Sequence, residues 1–392
     1  YEAAYNLTSA DNNVIIGYQT GYSLTTARYN VLIGDGAGKS LTTTSDNNEN
    51  VMIGNSAGRN ADAATNAAHY NVYIGSGAGY YMDDGDSNVY IGREAGKGGG
   101  TGNNATQNIL IGYQSGFSIT TADGSVGLGY NSLRALTSGG SNTAIGQQAG
   151  YSLTTPVENT AVGQAALFYN ETGNYNVAIG RASMFGVSGN SHNYNTAVGY
   201  KSLEGITTGQ ENTAVGYLTL QSLTSANYIT AFGSKAGNAL TSGAGLTAVG
   251  YQAATSMVDG HSNTAFGYQA LYSEVASDES TAIGYQALYS QSGSTSTLGN
   301  TAVGHYAGKA TTTAYRNTYV GKSAALNVTT GQQNTAIGWA ALQNVTNGTS
   351  NTAVGAMAGS QVSGSSYTSV FVGDQAGYAL TQTAGNVLVG YQ

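Results

Sequence analysis

A five-residue frame, Asn-(Val/Thr)-x-(Ile/Val)-Gly, recurs down the whole chain, as in Asn195-Thr-Ala-Val-Gly199. Its closing glycine first stands at Gly17 and last at Gly390. The 22 copies are separated by 21 intervals, 15 of them 17 residues long and the other six 18 to 21. With Asn as position 1, position 4 is apolar in every copy and position 2 is always Val, Ile or Thr. Side chains two apart share one side of a strand, and β-branched residues suit a pleated surface. The frame therefore predicts one short strand per repeat, with positions 2 and 4 turned inward. A fixed short period over a chain marks a solenoid, in which each repeat buries its apolar side on its neighbours. The expected fold is an all-β parallel β-solenoid (β-roll) of about 22 coils on a 17-residue repeat, a single stiff array over residues 1–392 with no domain boundary.

Position 3 is expected on the opposite side, and it too is apolar. It reads Ile15, Leu32, Met52, Tyr73, Tyr90 and Leu110 early in the chain, mostly Ala in the middle, then Phe371 and Leu388. A strand apolar on both sides is a strand covered on both sides. These eight residues are thus candidate interface positions between copies of the chain, although a row of small Ala alone needs no partner. At position 1, Asn residues such as Asn142, Asn159, Asn176, Asn195 and Asn212 can stack into a ladder of amide hydrogen bonds. The glycines at position 5, among them Gly146, Gly163, Gly180, Gly199 and Gly216, end each strand where a Cβ is disfavoured. Apolar positions 4, 8, 9 and 12 fit either one helical turn or a bent second strand in each coil. Extra residues of long copies fall before the next Asn, as in Leu41 to Glu49, and read as outer loops.

Composition adds limits. Only 8 % of residues are charged, and the net charge of −8 disfavours a nucleic-acid partner. The absence of cysteine excludes disulfides and thiolate metal sites. No apolar run approaches the ~18 residues of a membrane helix. The chain starts at Tyr1 and stops at Gln392 inside a repeat, which reads as a fragment of a longer fibre.

The stretches Asn263-Thr-Ala-Phe-Gly-Tyr-Gln-Ala-Leu271 and Ser280-Thr-Ala-Ile-Gly-Tyr-Gln-Ala-Leu288 resemble the repeat of phage tail-fibre-type and bacterial surface proteins. They are also similar to the Asn-Ser-Val-Ala-Ile-Gly repeat in the heads of trimeric autotransporter adhesins. The resemblance covers essentially the whole chain. It implies a parallel β-roll, trimerised with its strands near the axis and used for attachment outside a cell or on a virion. The longer repeat and the undivided Gly-x-x-Ala-Leu half depart from the adhesin pattern.

Catalytic chemistry finds no candidate. Gly34-Asp-Gly-Ala-Gly-Lys-Ser40 suggests a phosphate loop, but Ile33 stands where its first glycine belongs. Asp83, Asp84 and Asp86 form an acidic turn whose spacing fails an EF-hand, with Val89 and Ala95 at the required Gly and Glu positions. His69, His192, His261 and His305 are scattered without ligand spacing. Tyrosine follows the glycine in consecutive coils at Tyr251, Tyr268 and Tyr285, a candidate surface for stacking on a glycan or a partner side chain.

No cofactor is implied, and the reading is non-enzymatic. A homotrimeric structural or adhesive fibre shaft, spacing or presenting a region that meets a host glycan or protein receptor, leads. A self-assembling extracellular filament is one alternative. Another is an ice-binding solenoid using the Thr row from Thr196 to Thr352, unbroken across ten coils, which requires that row to face outward.

Overall fold

The computed structural model describes residues 1–41, 49–60, 68–100, 102–293, 297–362, 368–380 and 385–392. The loop expected between Leu41 and Glu49 thus lies, for residues 42–48, outside the described ones. Two compact units are present, Tyr1–Asn195 and Thr196–Gln392. The first carries strands β1 (Val14–Ile16) to β10 (Val177–Ile179), and the second β11 (Thr196–Val198) to β22 (Val387–Val389). Within each unit every strand is three residues long and pairs in parallel with the next, in unbroken register. Thr143 opposes Thr160 in the first unit, and Thr247 opposes Thr264 in the second. Each unit is a parallel β-solenoid of the expected 17-residue repeat, and no helix occurs among the described residues.

The two sides of the strand are the reverse of the sequence expectation. Position 3 points into the coil: Leu32, Met52, Tyr73, Tyr90, Leu110 and Phe371 are fully buried within one chain. They therefore cannot form an interface between copies. Ile15 and Leu388, in the first and last coils, are partly buried and exposed respectively. Positions 2 and 4 face outward, half-buried to exposed, with Ile16 at 58 % and Phe266 at 53 % exposure.

The physical reason is the narrow coil interior. Positions 3, 8, 9 and 12 converge there, as in Ala336, Ala341, Leu342 and Val345 of one coil, and one side chain per strand fills it. Volumes at 3 and 9 are reciprocal. Large residues at 3 face glycine at 9 in the same coil (Tyr73 with Gly79, Phe371 with Gly377), and the ring occupies the space a Cβ would take. Where position 3 is Ala, position 9 is often Leu, as in Ala197 with Leu203 and Ala265 with Leu271. Where both positions are small, as in Ala353 with Gly359, side chains of the neighbouring coils (Leu342 and Phe371) fill the space, which keeps the interior close-packed.

The second half of the coil is neither helix nor second strand. Positions 7 and 9 take positive φ, as in Ala165 (54°) and Leu167 (52°). This alternation aims successive amides in opposite directions along the stack. Ala165 N–H donates back to Gln147 O at 2.9 Å, and Leu167 N–H donates forward to Ser183 O at 2.9 Å. Left-handed non-glycine residues cost roughly 1–2 kcal/mol each. Two coil-to-coil hydrogen bonds and a buried Leu offset that cost.

Candidate functional site

Asparagine at position 1 is buried and bonds in two directions. Asn159 Oδ1 accepts the backbone N–H of Asn176 at 2.9 Å and the Asn176 Nδ2 at 3.0 Å. Asn159 Nδ2 donates to Gly173 O at 3.0 Å in the following coil. Asn142 and Asn195 belong to the same ladder in the first unit, and Asn212 accepts from Ile229 N–H at 3.0 Å in the second. Each bond contributes about 0.5–1.5 kcal/mol net, so the row ties coils together cumulatively. This is scaffold, and it leaves the outward rows to act.

The outward surface of the strands is repetitive. Neighbouring strands lie ~4.8 Å apart and alternate residues along a strand ~6.7 Å apart. In the second unit this gives one row of Thr at position 2, Thr196 to Thr352, beside one of Val, Ile and Phe at position 4. In the first unit both rows are mainly Val and Ile, with Thr143 and Thr160 toward its end.

Tyr251, Tyr268 and Tyr285 stack on one another, with centroids 5.4 and 5.0 Å apart and planes within 18°. His305 continues the stack at 5.1 Å from Tyr285. The ring faces are turned toward each other, so the surface offers ring edges and hydroxyls, not faces, to a sugar. Beside them Gln252, Gln269 and Gln286 form an amide ladder at 2.9 and 2.8 Å.

The apparent phosphate loop has its amides engaged. Gly36 N–H donates to Tyr18 O at 2.9 Å and Gly38 N–H to Ala57 O at 2.9 Å, both in neighbouring coils. In the acidic turn, Asp86 accepts His69 N–H at 2.8 Å and Asp83 accepts Gly102 N–H. Asp84 Oδ1 is buried with no hydrogen-bond partner. Among the described residues no three His, Cys, Asp or Glu converge as metal ligands. Among the Asn-x-Thr triplets of the sequence, which are acceptors for glycosylation, Asn170 is buried and donates to Gly173 O at 2.9 Å, whereas Asn327 and Asn347 are exposed.

Two features were missed in the sequence. One is a buried polar cluster at position 12, where Glu274 Oε1 accepts the N–H groups of Val275, Ala276 and Ser277 at 2.9, 3.1 and 2.9 Å. The break from Leu to Glu in an apolar row was its signal. The other is the burial of His192, 1 % exposed, in a row held elsewhere mostly by Ala and Gly. Its Nδ1 lies 3.5 Å from Asn176 Oδ1, and its Nε2 has no partner.

Burial pushes the His192 pKa down from 6.5 to about 4. The folded state therefore favours the neutral ring, and this contribution is fully present above pH 6.5. It is lost as pH falls through the window down to about 4, where the unfolded chain takes up the proton first. At 1.36 kcal/mol per unit the cost reaches roughly 3 kcal/mol. Amide protection factors in the coils around His192, corrected for the intrinsic pH dependence of exchange, are expected to fall on acidification, and less so in His192→Ala. An equal fall in both proteins would refute the role of this ring.

Comparison of the chain with protein-family models, with curated proteins and with solved structures finds no match.

Proposed function

We propose that this chain is the shaft of a homotrimeric structural and adhesive fibre, outside a cell or on a virion, with the outward strand surface as the interface between copies. The observation that supports it is the pair of β-branched and apolar rows at positions 2 and 4, repeated in register through each unit. Unpartnered apolar patches of that extent mark interaction sites. Copies packed about an axis parallel to the strand stack would cover the rows in every coil at once, as closed symmetry requires. The repeat's likeness to tail-fibre and adhesin sequences agrees with an attachment role.

Light scattering after size exclusion is expected to give three times the 39.8 kDa chain mass. Ile283→Lys with Val249→Lys places charges on that surface without touching the coil interior, and should release monomers that keep their β signal. A concentration-independent monomer for the unsubstituted chain would overturn the assembly.

One observation favours a second reading. The Thr row from Thr196 to Thr352 faces outward, which is the condition an ice-binding surface requires. Its regular spacing could order water, although Phe232 and Phe266 protrude beside it. A monomer that produces thermal hysteresis would establish this reading in place of the fibre.

A further inference from the structure

We propose that the first unit carries a binding stripe for a linear acidic polysaccharide, formed by position 10 of successive coils. From Tyr22 to Tyr151, eight consecutive coils hold only aromatic or cationic residues at this position. Four of the chain's 12 Lys and Arg residues stand there, in a protein of net charge −8. The rings brace the cations. Lys97 Nζ and the Arg134 guanidinium lie over the two sides of Phe117 at 5.0 and 5.1 Å, and Arg134 also lies 5.7 Å from Tyr151. Lys39 sits 6.0 Å from Tyr22, and Arg59 6.0 Å from Tyr80. Such contacts hold a charged head in place without neutralising it.

Few carboxylates answer these charges. Among the described residues Lys39, Arg59 and Arg134 form no ion pair. Lys39 bonds Gln19 at 2.7 Å, and Arg134 Nε bonds Gln114 at 3.3 Å. Lys97 pairs with Glu94 at 2.9 Å, and that carboxylate is also held by Gln114 at 2.8 Å, so it fixes Lys97 in the row. A groove of about 320 Å³ opens beside Lys97, lined by Ser76, Tyr80, Tyr81, Arg93 and Glu94. It combines cations with hydroxyls and ring edges.

Geometry and charge select the ligand class. Lys97 and Arg134 stand two coils apart, roughly 9.6 Å at strand spacing. That is comparable to one disaccharide, so a polymer charged on alternate sugars meets successive cations. A single file of charges suits one narrow chain. The acidic remainder of the protein disfavours a nucleic acid, which needs a broad basic surface. The neutral hydrogen-bonding groups along the stripe match sugar hydroxyls. No residue of the outward strand rows takes part, so the stripe and the trimer stand or fall separately.

The test is binding of the full chain to a fluorescent oligouronate, measured by anisotropy at low and physiological salt. Neutral dextran and single-stranded DNA serve as competitors. Expected are saturable binding that weakens with salt, displacement by unlabelled oligouronate but by neither competitor, and a loss of tenfold or more in Lys97→Gln/Arg134→Gln. The control Lys309→Gln/Lys322→Gln removes the same charge from the second unit and should change affinity less than twofold. Circular dichroism checks that both variants keep their fold. Phe117→Leu, which leaves every charge in place but removes the brace, should weaken binding severalfold. No binding, equal losses in both charge pairs, or preference for DNA would each overturn the proposal.

Discussion

Gly163→Ala is expected to be among the most damaging single-methyl changes in the chain. Gly163 closes its strand at φ 132°, a region that side-chain-bearing residues rarely enter. A Cβ built there would sit 2.6 Å from Gly180 O and 2.7 Å from Gly180 C in the next coil. These are backbone atoms of a stacked ladder and cannot move aside alone. The φ strain alone costs about 1–3 kcal/mol, and the overlap would separate two coils and weaken Gly163 N–H to Ile145 O, 2.8 Å in the native chain. Amide exchange should show a loss of at least about 3 kcal/mol in the coils flanking Gly163, since a repeat array reports stability coil by coil. The adjacent exposed Gln164→Ala should stay within about 0.5 kcal/mol of wild type. Comparable protection of Gly163→Ala and wild type would refute the close approach of coils at this row.

Tyr90→Ala tests the inside of the coil. Tyr90 is fully buried, stacks on Tyr73 at 5.1 Å, and donates its hydroxyl toward Met82 Sδ at 3.7 Å. Burial holds its phenol, and those of Tyr73 and Tyr319, far above their ordinary pKa, so these groups stay neutral. Truncation should cost about 3–5 kcal/mol locally, as for other buried aromatics. The reciprocity of positions 3 and 9 predicts a rescue. Tyr90→Ala/Gly96→Leu recreates the arrangement of Ala197 and Leu203, and Gly96 (φ 54°) already has the backbone of Leu203 (φ 53°). The double variant should recover more than half of the lost stability, a coupling that a double-mutant cycle measures directly. If Tyr90→Ala instead kept its stability but lowered the particle mass, position 3 would be an interface row after all.

The outward rows, the ladders and the binding stripe were legible to different degrees. The Asn and Gly rows were visible because a ladder repeats the same residue at the same phase. The tyrosine row was visible too, but whether its rings offer faces or edges depends on their mutual stacking, which no single position encodes. The stripe at position 10 was half visible. Tyr22, Tyr80 and Tyr151 recur there at one phase of the repeat, while the Lys, Arg and Phe between them share no fixed identity and mark no row.

Period and composition determined that the chain builds coils from one strand each, stacked in parallel register, with constant Asn and Gly phases. Alternation along Asn-Thr-Ala-Val-Gly also determined that position 3 opposes positions 2 and 4. It did not determine which side is inside, because all three rows are apolar or β-branched and hydrophobicity gives no sign. The tertiary structure decided that through volume. The coil interior has room for one strand side chain beside positions 8, 9 and 12, and the small or glycine-matched residues at position 3 fit it. Thr, Val and Ile at positions 2 and 4 are left outside, where they form the surface on which the proposed function rests.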